Sequence, residues 1–202
     1  MQKKSIISNI TQLILIVFGV VLGIFLSERI EEQKNNKEAL KLLSKITSEV
    51  SGNKSLIEYW APYHGDIAKG LDSLQNDEVF VENFIKDKSA LFKEVLTRGN
   101  FMGRMPSSDA WDIAKSHPLI VNFDYDELLI LSKIYNQQKS TFGSVDKISE
   151  VFFSPDFNTR ENAKFNLQKI SNLMREIVSR EMQLIEYYNE AEEILELQSN
   201  QE

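Results

Sequence analysis

Ser107, Ser108, Asp109 and His117 bring together, within one short stretch, the side-chain types of a nucleophilic triad. In such a triad an imidazole takes the proton from a hydroxyl and a carboxylate orients the imidazole. The stretch has no Gly-x-Ser-x-Gly elbow to expose the hydroxyl. A serine ahead of Ala110-Trp111 reads instead as a helix start, its oxygen accepting from first-turn amides. His64 and His117 are the only histidines, and neither stands at metal-ligand spacing from a carboxylate or from the other. His117, next to Pro118, reads as a helix-end residue. The acidic groups Asp66, Asp72, Asp77, Glu78 and Asp124, Asp126, Glu127 lack the alternating oxygens and central glycine of a calcium loop. Acids of this kind suit the positive ends of helices. Cysteine is absent, which removes disulfides, thiolate nucleophiles and cysteine-held metal. The expectation is no catalytic residue, no cofactor and no metal.

Two clusters could instead meet a partner. Tyr59-Trp60-Ala-Pro-Tyr63-His64 is an aromatic group at an expected helix end, more simply a packed corner than a ligand platform. The segment Arg98-Gly-Asn-Phe-Met-Gly-Arg-Met-Pro106 holds two glycines, a proline and two arginines, and is the least regular surface of the chain. Its candidate partner-binding residues are Arg98, Phe101 and Arg104.

The remaining candidate lies in an apolar segment. Ile6 to Leu26 carries no charge and tightens into an unbroken apolar run from Leu13. A helix of that length rises about 30 Å, the thickness of a bilayer's hydrocarbon core. The exit Gly23-Ile-Phe-Leu-Ser27 puts Phe25 where signal-peptide cleavage after Ser27 would require a small residue, so the segment is expected to stay attached. Ser8, Gln12, Gly19, Gly23 and Ser27 fall in one sector of about 100° on that helix. Gly19-Val-Val-Leu-Gly23 is a small-xxx-small motif, which lets a second membrane helix approach closely enough for backbone packing. These five residues are the expected transmembrane helix interface.

The elements that must carry these groups are helical throughout. Expected boundaries are a short basic end at 1–5, a membrane helix at 6–27, a stalk helix at 28–61, an all-α extramembrane domain at 62–197 and a frayed acidic tail at 198–202. Helix formers fill the stalk, where Leu40, Leu43, Ile46, Val50 and Ile57 make the docking stripe. Pro62 is expected to end it, with a turn at Tyr63-His64-Gly65-Asp66. A short helix through Ile67, Leu71 and Leu74 follows, then one spanning Val81 to Leu96. Another runs from Leu128 to Phe152. A last helix opens near Asn158-Thr159 and reaches Leu197, with Glu181 interrupting its apolar seam. The stalk and last helix fit either an intersubunit coiled coil or an antiparallel pair within one bundle; the bundle is preferred because the intervening helices also present apolar faces.

The chain has 30 acidic and 23 basic residues, a balance that argues against a nucleic-acid partner. Lys3 and Lys4 leave the short amino end positive, whereas acids and bases nearly cancel beyond Ser27. A pure Lys/Arg count, with Arg29, Lys34, Lys37, Lys41 and Lys45 on the exit side, would put the domain in the cytoplasm. Because long domains are translocated largely regardless of charge and the acids leave that flank nearly neutral, the domain is expected on the outer, periplasmic side of a bacterial inner membrane.

Ile14-Leu-Ile-Val-Phe-Gly-Val-Val-Leu-Gly-Ile-Phe-Leu-Ser-Glu-Arg-Ile-Glu-Glu-Gln-Lys34, Ala110-Trp-Asp-Ile-Ala-Lys-Ser-His-Pro-Leu119 and Leu128-Leu-Ile-Leu-Ser-Lys-Ile-Tyr-Asn-Gln-Gln138 together resemble a Bacteroidota family of short single-span membrane proteins of unknown function. The likeness covers about a third of the chain. It departs at Glu28-Arg-Ile-Glu31, where the family has an Asn-Trp-Asn-like sequence. The resemblance implies membrane anchorage and supplies no activity.

Taken together, these features lead to the expectation of a non-enzymatic single-span protein serving as an accessory, scaffold or sensor subunit. Its expected partners are membrane lipid and either a second copy or another membrane protein, with no small-molecule substrate. The rival readings are a subunit of a channel or transport assembly and a membrane-tethered enzyme. The first is weakened by the lack of ionisable groups inside the apolar segment, the second by the lack of a nucleophile, metal cluster or phosphate loop.

Overall fold

In the computed structural model the chain is described from Gln2 to Ser199, with side chains described for Gln12 and for residues 14–195. Among the described residues the secondary structure is all helical, with no strand. Six α-helices run in the order α1 Gln2–Leu74, α2 Glu78–Lys86, α3 Ser89–Glu94, α4 Asp109–Ser116, α5 Tyr125–Phe152 and α6 Ala163–Ser199, with a 3-10 turn Pro118–Asn122 before α5. At 73 residues α1 is about 110 Å long.

The body is a bundle of α1, α5 and α6, in which α6 runs antiparallel to both partners. The pairs Lys54–Glu192, His64–Glu181 and Asp72–Ser171 climb α1 while descending α6. Gln137–Gln183 and the Ser140–Arg180 contact do the same between α5 and α6. This is the intrachain antiparallel pairing that the apolar faces of the intervening helices favoured. The chain climbs α1, returns through α2, α3, an irregular loop and α4, climbs α5 and descends α6.

Proline does not end the first helix. Contrary to the expected boundary at 61, α1 passes through Pro62 and the anticipated turn at Tyr63–Asp66 to Leu74. Pro62 and Glu58 are both on the exposed side, so the carbonyl deprived of an amide partner faces solvent. Ile57, Tyr63, His64, Ile67 and Leu71 are buried on the other side and hold the helix across the proline. The helix expected over Val81–Leu96 is split in two. Asp87 closes α2 through its own amide on the Asn83 carbonyl, and its carboxylate accepts from Ser89 N and the Ser89 hydroxyl. An aspartate that binds nearby backbone this way competes with helix propagation. Within the stalk stripe Ile46, Val50 and Ile57 are buried, but Leu40 remains exposed, its place at the end of the stripe taken by Ala39. α6 opens at Ala163, later than Asn158-Thr159, because Asn158 is occupied by the Phe84 and Ile85 carbonyls at the end of α2.

The core has two apolar halves. One joins Ile67, Leu71, Phe84, Leu91, Ile148, Leu167 and Ile170, and the other joins Ile46, Ile57, Leu131, Ile134, Leu184 and Tyr188. Buried polar residues Asn53, His64, Gln138, Thr141, Ser144 and Glu181 lie on the same three helices. Burial without hydrogen bonds would be costly there, and most of these groups are paired. Asn53 Nδ2 donates to Ser107 O at 2.7 Å, Ser107 N donates to Asn53 Oδ1 at 2.9 Å, and Gln138 Nε2 donates to Ser107 O at 3.0 Å. Two helices, α1 and α5, thereby hold one loop residue in place.

The start of α4 is capped from a distance. Ser108, at the cap position, donates its hydroxyl to Asp112, and Ser107 Oγ accepts from Asp109 N at 3.1 Å. Glu49 of α1 supplies the rest, its carboxylate accepting from Ala110 N at 3.0 Å, Trp111 N at 3.4 Å, the Ser107 hydroxyl at 2.7 Å and the Tyr135 hydroxyl at 2.7 Å. Burial works to raise the Glu49 pKa, but these four donors outweigh it and hold the carboxyl below its ordinary value. Burial, then the bond to Glu49, pushes the Tyr135 phenol far above its usual range. Because the Glu49 pKa is depressed on folding, its stabilisation is present above the unfolded carboxyl value of about 4.3 and is lost as pH falls through the folded value. Glu49→Ala is expected to cost about 2 kcal/mol at pH 7 and less at pH 3, measured by urea unfolding at both. An equal loss at the two pH values would show that the carboxylate charge is not what caps α4.

Candidate functional site

The helix α1 carries its apolar segment away from the bundle. From Ile14 to Lys34 every residue is exposed, and Ala39 is the first buried one. Leu15, Phe18, Val20, Ile24 and Leu26 are each more than half exposed, so the whole circumference is bare of protein. Arg29 stacks its guanidinium 5.4 Å from the Phe25 ring, at the point where apolar sequence gives way to the charged neck. Among the described residues no helix is long and apolar enough to cross a membrane. The side chains of Ile6–Thr11 and Leu13, the first part of the expected 6–27 membrane helix, lie outside the described residues, and so does that of Ser8.

Of the expected helix interface, Gln12, Gly19, Gly23 and Ser27 are exposed. An added Cβ at Gly19 or Gly23 would meet nothing within 4 Å. Among the described residues, nothing in the fold packs on Gly19 or Gly23.

The second site is the loop between α3 and α4. The Arg98 guanidinium lies 4.5 Å from the Tyr63 ring, 4.9 Å from Tyr59 and 5.3 Å from Trp60, so its charge sits over three aromatic faces. Tyr63 Oη accepts from Arg98 N and donates to Asn100 O, both at 3.1 Å. Gly103 lies against Trp60, where a Cβ would approach the ring to 3.2 Å. Phe101 is half-buried and turns its ring edge-on to Phe152 of α5, 6.4 Å away. Arg98, itself exposed like Arg104, and the half-buried Phe101 thus bind the loop to the bundle. Between the loop and α5 is a cavity of about 320 Å³ lined by Phe92, Leu96, Phe101, Met102, Val145 and Phe152.

Beneath the loop sits the pair that the linear sequence concealed. His64 is 2% exposed and Glu181 fully buried. His64 Nε2 is 2.7 Å from the Phe101 carbonyl oxygen, and Nδ1 is 2.8 Å from Glu181 Oε1. A carbonyl only accepts, so Nε2 carries a proton. The Nδ1–Oε1 contact needs a second proton, held on the ring as imidazolium or on the acid as a neutral carboxyl. Trp60 stacks over the imidazole at 6.1 Å and 23°. With both ring nitrogens engaged and the ring covered, the pair has no route to a substrate; its geometry joins α1, α6 and the loop.

The two residues are far apart in sequence, and Glu181 was visible only as an interruption of the α6 seam. The signal that could have found them is that polar interruptions of the two helices face one another once α1 and α6 are laid antiparallel. Asp124 and Glu127 form a reciprocal capping box at the start of α5. Burial first, then the charge of Asp124, raises the Glu127 pKa despite the amide that Asp124 donates. His117 Nδ1 accepts from Leu119 N and starts the 3-10 turn. Among the described residues no group of three or more histidines and acids is placed to hold a metal ion. No family model, curated protein or solved structure matches this chain.

Proposed function

We propose that this chain is a non-catalytic membrane protein, a helical bundle held on a rigid stalk by a single amino-terminal span, acting as an accessory or scaffold subunit. One observation carries the reading: thirteen consecutive residues, Ile14 to Leu26, are exposed around the whole circumference of a continuous helix. Apolar area of that extent is costly in water, at about 25 cal/mol per Å². Lipid is the occupant that covers a cylinder on all sides, and the uncharged residues back to Ile6 extend the segment to about 30 Å. The neck of Glu28–Glu38 then lifts the bundle about 16 Å from the span.

The face of Ser8, Gln12, Gly19, Gly23 and Ser27 meets a second copy of the same helix in this reading. Small residues permit close backbone packing, which is the main attraction available between helices in lipid. Crosslinking in native membranes is expected to trap a dimer, and Gly19→Leu with Gly23→Leu is expected to reduce it about tenfold. An unchanged dimer in the double variant would remove the small-residue interface. The amino end with Lys3 and Lys4 stays inside, which puts the bundle on the outer face of a bacterial inner membrane. Added protease should therefore digest the bundle in sealed spheroplasts; protection of the bundle beside a digested outer-face control would reverse the orientation.

A further inference from the structure

We propose that the cavity between the Arg98–Pro106 loop and α5 binds an alkyl carboxylate, a single acyl chain whose tail lies among the aromatic rings and whose head lies at Lys88. The wall is made for carbon. Phe92, Phe101 and Phe153 each turn edge-on to Phe152, at 5.4, 6.4 and 5.4 Å between ring centres, and Met102 and Met105 of the loop add two thioethers. The polar groups of the lining have little left to give a guest. The Ser149 hydroxyl donates to Val145 O at 3.0 Å, Gly99 N donates to Leu96 O at 2.7 Å, and Asn100 is exposed. A water held in such a space needs about two to four polar partners, which this lining scarcely supplies. The opening shows the same chemistry turned to solvent: Phe153 is 78% exposed and Met105 44%, an apolar rim that a guest's chain covers.

Volume and charge narrow the guest. At about 320 Å³ the space is about twice a cavity that admits benzene, room for roughly ten to twelve carbons of one chain. No charged residue lines it. Lys88, exposed just before α3, holds its ammonium 5.9 Å from the Phe152 ring centre, and the carboxylate of neighbouring Asp87 is spent on Ser89. An anionic head therefore finds a counter-charge outside the apolar space and none inside, where an unpaired charge would be costly. The source of the chain rests on the membrane reading above. Tyr59 and Trp60, which anchor the loop, stand about 50 Å along α1 from Leu26, beyond a lipid that remains in the bilayer. The occupant is a free acid.

Methionine-methyl NMR of the full chain in lipid nanodiscs, titrated with decanoate, tests this. The methyl groups of Met102 and Met105 are expected to shift and saturate, while those of Met174 in the core and of exposed Met182 on α6 stay in place. Octanoate is expected to bind about fifteenfold more weakly, because each buried CH₂ is worth about fourfold. Decanol is expected to bind up to about fivefold more weakly than decanoate, the contribution of an exposed ion pair, and Lys88→Gln to erase that difference. Val145→Phe fills the space and is expected to lower decanoate affinity about tenfold or more. Should that variant not fold, Phe153→Ala at the bare rim is expected to lower it about fivefold. Phe18→Asp with Val21→Asp, remote from the cavity, is expected to bind decanoate like the wild type in aqueous buffer, so a failure of membrane insertion and a failure of this site are told apart. Decanoate moving every methionine methyl alike, unchanged affinity in Phe153→Ala, or tighter binding of decylammonium than of decanoate would overturn the proposal. So would Met102 and Met105 shifts that follow the acyl length of the nanodisc lipid with no acid added.

Discussion

Replacing Phe18 and Val21 together with aspartate is expected to move the full-length protein from the membrane pellet to the alkaline carbonate supernatant. Fifteen large aliphatic or phenyl side chains lie between Ile6 and Leu26. At roughly 0.3–0.6 kcal/mol each they favour insertion by about 5–9 kcal/mol, before the smaller cost of the few polar residues at the amino end. One aspartate near the middle of a span costs about 2.5–3.5 kcal/mol, so two consume about 5–7 and cancel the gain. Both positions are exposed, and the changes disturb no packing within the bundle. The matched control is Val121→Asp with Tyr125→Asp, two equally bare positions on the bundle that should leave sedimentation unaltered. Full retention of the Phe18/Val21 variant in the pellet would show that something other than this segment anchors the protein.

The largest loss of folding stability is expected at Tyr188. Its side chain is fully buried among Ile46, Ile57, Ile134 and Leu184 in one half of the core, and its hydroxyl donates to Gln138 Oε1 at 2.9 Å. Tyr188→Ala removes an aromatic ring from a close-packed site and leaves Gln138 short of a donor, at a cost of about 4–5 kcal/mol. Tyr188→Phe keeps the ring and should cost about 1 kcal/mol. Thermal unfolding would then show a drop on the order of 10–15 °C for alanine and a few degrees for phenylalanine. Equal drops would place the stabilisation in the hydroxyl rather than in packing. Burial, followed by the nearby Glu49 charge, raises the Tyr188 pKa well above the ordinary phenol range, so the neutral donor persists wherever the protein is folded.

The apolar spacing was a good guide to α5, whose capping pair Asp124–Glu127 and closing Pro155 are local signals, and to the seam of α6. It failed at Pro62, because the carbonyl that the proline leaves unpaired faces solvent and the buried residues on the opposite side hold the helix across it. It failed at Asp87 because a side chain competing for backbone amides leaves no trace in hydrophobic periodicity. Arg98, Phe101 and Arg104 lie within seven residues of one another, yet only the fold shows that Arg98 stacks on the α1 aromatics and Phe101 on Phe152.

From composition and periodicity alone came an all-helical chain, an apolar amino-terminal helix continuous with a charged neck, and long helices able to pack side by side. Those properties depend on residues within one or two turns of each other, so they can be read along a line. Only the folded bundle brought His64 to Glu181, Glu49 to the start of α4, and Asn53 with Gln138 onto the Ser107 backbone. Each of those contacts joins distant segments, and its chemistry depends on burial, which exists only once α1, α5 and α6 have closed around it.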